Sequence, residues 1–229
     1  NQRIWSDNFF SICLNVLTEE NSKEKKKIFF DLLVFSVSSE KTLLKIKQIL
    51  DGIIILKGLQ IDQDKRWKII QKISAYNLFD CENIIANEKQ RDPSDLGSKK
   101  AFQALTAIPD LQLKEKYWKM FIHQQENHST DFLRYGIQGF LQHNQSELLK
   151  PYTKKYFDHL IEIYTERDLF YSSTFGKALF PSIFDNITIL KKTKNFIDEN
   201  KQMPKLCKKE LNENCDYLER KIPILKDQF

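Results

Sequence analysis

Four histidines, four cysteines and a helix bearing one arginine are the places where this 229-residue chain could do chemistry. A zinc site that hydrolyses an amide takes two histidines four apart on one helix, so that both imidazoles face the metal, with a glutamate between them to activate the bound water. His123, His128, His143 and His159 do not provide it: none has a second histidine four residues on, and none is followed directly by glutamate. His123 and His128 are five apart with "QQEN" between them, a turn of about 500° around a helix that takes them off a common face. Cys13, Cys81, Cys207 and Cys215 lack CxxC spacing and read as reduced thiols of an intracellular, cytoplasmic protein. No GxSxG elbow, activated cysteine or glycine-rich phosphate loop is present. The expectation is a chain with no catalytic residues, no metal site and no cofactor of its own.

Arg134 and Gln138 lie four apart with Tyr135 beside them, while Phe132, Gly136, Gly139 and Phe140 fall on the opposite, packing face of the same helix. A cation and an amide so placed could hold the carboxylate end of a peptide, Arg134 as charged partner and Gln138 as neutral donor. Solvation, or pairing with a neighbouring acid, is the plainer reading, and both stand open. Other singled-out residues read as structural. Trp67 and Trp118 suit core anchors between helices. Arg66 and Arg91 suit buttresses of helix corners through carboxylates such as Asp64, Asp92 or Asp95.

Helices must position these groups. Ala101, Ala104, Leu105 and Ile108 fall at i, i+3, i+4, i+7, and Leu113, Tyr117, Met120 and Phe121 at i, i+4, i+7, i+8, while no segment sustains strand-like alternation. The class is all-α, with helices predicted near 5–17, 23–38, 41–51, 63–76, 80–90, 93–108, 111–124, 130–142, 146–165, 168–179, 186–199 and 204–221. Asp62 and Ser129 read as N-caps, as does Asp92 in "DPSD", with Pro93 at the first helical position. Asp80, the "PD" at 109–110 and "HNQSE" at 143–147 each open a second helix. Pairs thus begin every 30 to 37 residues, the rhythm of a HEAT/armadillo-like α-solenoid of stacked antiparallel helix pairs. The reading is a single domain over 1–229 that begins at Asn1 rather than Met and is part of a longer chain.

The least polar stretch, "ILDGIIILKGLQIDQDKRWKII" at 49–70, is interrupted by Asp51, Lys57 and Asp62 and falls short of the roughly 20 apolar residues of a membrane span. It reads as a joint in which a helix ends at Gly52, residues 53–61 cross in an extended, buried path, and Asp62 caps the next helix. A short edge hairpin at 53–61 is the alternative, from its β-branched isoleucines. The net charge of +5 is spread out; the one local excess, seven lysines from Lys191 to Lys209 against Asp198 and Glu199, has no aromatic platform. A nucleic-acid partner is therefore not expected, and neither is a membrane.

Three stretches in order carry a resemblance: "ILDGIIILKGLQIDQDKRW", "RDPSDLGSKKAFQALTAIPDLQLKEKYW" and "GFLQHNQSELLKPYTKKYF". Together, over about residues 41 to 185, they resemble the C-terminal helical domain of aminopeptidase N-type zinc metallopeptidases, the gluzincin aminopeptidases. Leu141 departs from the pattern, standing where that family usually has tryptophan after the residue matching Phe140. The resemblance implies a non-catalytic domain that closes over a zinc-bearing catalytic domain, its partner in the same protein, and limits which peptide substrates enter. It also implies that Arg134, Tyr135 and Gln138 face that chamber. The His-Glu-x-x-His pair and the Gly-x-Met-Glu-Asn segment of those enzymes are missing, so the zinc would sit in the parent's catalytic domain. A stand-alone helical scaffold derived from such an enzyme is the alternative.

Overall fold

Side-chain caps decide where these helices begin. A computed structural model describes residues 2–19, 22–123, 128–184 and 186–226, with side chains within 5–222. It is all-α, and among the described residues there are twelve α-helices. They are α1 (Gln2–Glu19), α2 (Lys23–Ser36), α3 (Glu40–Leu50), α4 (Gln63–Ser74), α5 (Cys81–Arg91), α6 (Asp95–Ala107), α7 (Leu111–Ile122), α8 (Thr130–Phe140), α9 (Ser146–Glu166), α10 (Leu169–Ala178), α11 (Asn186–Glu199) and α12 (Lys205–Lys226). Asp62 accepts from the Lys65 amide at 3.1 Å, Asp80 from Asn83 at 3.2 Å, Asp110 from Leu113 at 2.8 Å and Ser129 from Phe132 at 3.2 Å. Each such bond satisfies a helix-end donor and contributes about 1 kcal/mol. The "QQEN" residues between His123 and His128, with the last residue of the predicted 111–124 helix, lie outside the described residues.

One cap differs from expectation. α6 begins at Asp95 and its cap is Ser94, which accepts from the Gly97 amide at 2.9 Å. Asp92 instead ends α5. Its carboxylate is already taken, by the Ser94 hydroxyl at 2.6 Å and the Trp67 indole N–H at 2.9 Å. The Ser94 bond, with help from that of Trp67, holds the Asp92 carboxyl below the usual range against the opposing effect of burial. Gly97 is required here, because a Cβ would come within 2.2 Å of the Asp92 carbonyl oxygen.

The chain forms two compact units, Asn1–Ile108 and Pro109–Phe229. In the first, α1 packs on α2, and α2, α4 and α6 stack in succession, with α3 and α5 against α4. Alternate helices therefore lie side by side, as repeated helix pairs require. Phe30, Leu33, Ile46, Trp67, Ile69 and Ile73 are buried at its centre.

The joint at 53–61 takes neither of its predicted forms. It is a run of turns, not a hairpin, and Leu56 alone among these residues is fully buried. Gly52 and Gly58 take φ of +76° and +75°, values that side chains rarely adopt. Ile53 and Ile54 both donate their amides to the Gln48 carbonyl, at 2.9 and 3.1 Å. Folding back on the end of α3 in this way satisfies the backbone without a partner strand, and it leaves Ile53 and Ile55 69 % and 81 % exposed.

Of the corner arginines, Arg66 makes the expected bidentate carboxylate pairing, with a different acid. Arg66 spans Glu88 with Nε at 2.8 Å and Nη2 at 2.6 Å, and its Nη1 donates to the Leu50 carbonyl at 2.8 Å. The bidentate pairing is of the expected kind, but the acid is buried Glu88 of α5, because α4 presents Arg66 towards α5 and away from the turn aspartates. Arg91 is exposed at the end of α5.

In the second unit α8, α10 and α12 stack in succession, α7 packs on α8 and α9, α9 on α10 and α12, and α11 on α12. An aromatic cluster fills its centre: the Trp118 ring lies 5.7 Å from Phe140, 5.2 Å from Tyr152 and 5.8 Å from Phe175. Lys114 is fully buried beside it. Its Nζ donates to the Phe140 carbonyl at 2.6 Å and sits 4.6 Å from the Phe140 ring centre, closing the C-terminal end of α8.

Burial lowers the Lys114 pKa to about 7. An unfolded lysine titrates near 10.4, so between about pH 7 and 10 the unfolded chain binds the extra proton, and this group makes stability rise with pH. Lys114→Met is expected to remove a slope on the order of 1 kcal/mol per pH unit between pH 7 and 9. The check is the difference in urea midpoint between the two proteins across that range; a constant difference would sink the assignment.

Candidate functional site

The α8–α10–α12 face is where sequence and structure place polar groups that the core does not need. α8 buries Leu133, Gly136, Ile137, Gly139 and Phe140. Its 3.6-residue period then turns Arg134, Tyr135 and Gln138 away from the core centre, Gln138 exposed and the other two half-buried.

Arg134 is held from below. Its Nε donates to the Thr174 hydroxyl of α10 at 2.8 Å, and Thr174 in turn donates to the Phe170 carbonyl at 2.8 Å. The guanidinium stands 5.9 Å from the centre of the Phe170 ring, which is 74 % exposed. Nη1 forms an ion pair with Asp131 one turn back on α8, at 3.8 Å, beyond hydrogen-bond length. The result is a half-buried cation fixed at one edge by Thr174, ion-paired at long range with Asp131 and standing beside an exposed ring. Such a pair can take a carboxylate and a neighbouring apolar side chain together. Gln138 lies one turn further along α8 on the same side, with Tyr135 beside Arg134.

Further along the face, sequence reasoning missed a second polar group. Glu210 of α12 is buried and accepts from the Ser173 hydroxyl at 2.6 Å, from the Tyr164 hydroxyl, and from Lys177 Nζ at 3.3 Å. Burial, and then the neighbouring Glu210, push the Tyr164 phenol far above its ordinary range and the Cys207 thiol up to about 12. Gly176 makes the approach possible, since a Cβ there would lie 1.9 Å from the Tyr164 oxygen; Tyr156 donates to the Gly176 carbonyl at 2.8 Å. This cluster ties α9, α10 and α12 together and supports the helix that carries Thr174 and Phe170. Its signal in the sequence was a carboxylate on an apolar stripe: Glu210 falls three residues after Cys207 and just before Leu211, both buried.

The remaining singled-out residues lie elsewhere. Trp67, Asp92 and exposed Arg91 belong to the first unit and Trp118 to the core of the second. Among the described residues no group of three or more His, Cys, Asp or Glu could hold a metal ion. His159 lies 3.7 Å from Glu162, one turn along its own helix. No helix among them is long and apolar enough to cross a membrane.

Comparison with known proteins supports the family resemblance carried by the motifs. A stretch of 140 residues is 29 % identical to Aminopeptidase N of Streptomyces lividans, covering 59 % of this chain and 16 % of that protein. The chain thus spans a small part of that relative's length. The description of the matching family is ERAP1-like C-terminal domain, and the match runs over residues 12–220, through both compact units. The chain belongs to the family of ERAP1-like C-terminal domains.

Proposed function

We propose that this chain is the non-catalytic C-terminal domain of an aminopeptidase N-type zinc hydrolase, where it encloses the peptide chamber and limits substrate access. The family match over residues 12–220 carries this reading, and the partial identity to an Aminopeptidase N supports it. Each unit would present a wall to the catalytic domain of the same protein. The stacking of alternate helices within each unit suits a solenoid-like wall. The zinc and its activating glutamate belong to that partner domain, because the histidines here lack ligand spacing. An enclosed chamber would exclude folded proteins while a peptide's amino end reaches the metal-bound water. On this wall Arg134, with Phe170, Tyr135 and Gln138, would receive the carboxylate end of a short peptide.

The test uses the intact enzyme. Arg134→Ala is expected to raise the Michaelis constant for short peptides about ten- to a hundredfold, the loss of one charge-assisted hydrogen bond, and to leave aminoacyl amide reporters within about twofold. Amide reporters lack a C-terminal carboxylate, so an equal effect on both substrates, or none on either, would remove the chamber role from this face.

A further inference from the structure

The apolar joint at 53–61 has no part in the α8–α10–α12 face, yet its structure is unusual for a mere connection. It borders a hollow of about 600 Å³ in the first unit, with Leu56, Gly58 and Leu59 along it and Ile55 at its rim. Lys23 and Lys27, one turn apart at the start of α2, line the same hollow. Both are exposed. A third lysine, Lys26, is buried and donates to the Lys57 carbonyl, which fixes the joint against α2. Gly58 gives it room, since a Cβ there would lie 3.1 Å from Lys26 Nζ.

Two acids stand near this rim. Asp62 lines the hollow, its carboxylate held by the Lys65 ammonium and the Lys65 amide and attracted also by Lys27. Glu24, exposed beside Lys23, accepts from the Ser22 hydroxyl. With Lys23, Lys27 and Lys65 against these two acids, the hollow combines an apolar wall, a net positive rim and a protruding isoleucine.

We propose that this hollow is a docking site for an acidic polypeptide segment carrying an apolar side chain. The side chain enters against Leu59 and meets Ile55, while flanking carboxylates approach Lys23 and Lys27. Complementary charge steers the encounter and the apolar contact holds it. Concavity favours a peptide over a bilayer: a flat lipid surface would touch the protruding Ile53 and Ile55 and leave the hollow unfilled.

The experiment measures fluorescence anisotropy of a dye-labelled synthetic peptide of alternating glutamate and leucine, titrated with the whole chain. Saturable binding is expected. It should weaken at least about tenfold in Lys23→Glu/Lys27→Glu and several-fold in Ile55→Asp, all exposed positions whose replacement leaves the core intact. Lys205→Glu/Lys208→Glu, which changes net charge equally on α12, is expected to bind as the parent does. Absence of saturable binding, equal loss in the α12 pair, or association with phosphatidylserine vesicles without peptide binding would each overturn the assignment.

Discussion

Replacing Trp118 with alanine is expected to destabilise the protein by about 3–5 kcal/mol, among the largest effects of any single change here. The indole is 2 % exposed and meets rings from three other helices, Phe140 of α8, Tyr152 of α9 and Phe175 of α10, all within 6 Å. Truncation removes a large apolar transfer contribution and opens a cavity that four rigid helices cannot close. It also deletes aromatic pairings worth about 0.5–1.5 kcal/mol each. Trp118→Phe separates the contributions. It keeps a ring and discards an indole N–H that finds no protein acceptor, so it should cost clearly less than alanine. Urea denaturation is the measurement, and an alanine effect under about 1 kcal/mol would mean that this cluster is not the centre of the second unit.

Arg66→Ala should cost about 3 kcal/mol by a different route. Glu88 is 4 % exposed, and Arg66 supplies it with two hydrogen bonds while Gln63 supplies another at 2.7 Å. Burial pushes the Glu88 carboxyl up, but the bonds from Arg66 and Gln63, with the attraction of Arg66 and Arg91, outweigh it and hold it below the usual range. The folded pKa is thus below the unfolded value of about 4.3. The pair's contribution is present above that value and is lost as pH falls through the folded pKa. Removing the arginine strands a buried charge and frees the Leu50 carbonyl at the end of α3. Arg66→Met/Glu88→Leu should recover most of the loss, because no charge is then left unpaired. A double variant as unstable as Arg66→Ala would place the cost in lost packing instead.

The candidate site was only partly legible beforehand. Arg134 and Gln138 could be read from helical spacing, since a repeat of 3.6 residues sets which side chains share a side. The ring of Phe170 and the hydroxyl of Thr174 could not, because both come from α10, some forty residues on. Glu210 was visible only as a carboxylate on an apolar stripe, and nothing local named Tyr164, Ser173 or Lys177 as its partners.

Local chemistry determined most of the helices. Asp62, Asp80, Asp110 and Ser129 cap where their types and positions said they would, because a capping bond closes within three residues and needs no tertiary partner. The all-α class followed from the same short-range periodicity. Where two local choices competed, tertiary contacts decided. Asp92 lost the capping role to Ser94 once the Trp67 indole, twenty-five residues away, took its carboxylate. Arg66 found Glu88 rather than a nearer aspartate because α4 and α5 pack with those two side chains facing each other. The isoleucine-rich joint looked buried because composition reports how apolar a residue is. Whether a neighbour covers it is a property of the folded chain, and here Leu56 is covered while Ile53 and Ile55 are not.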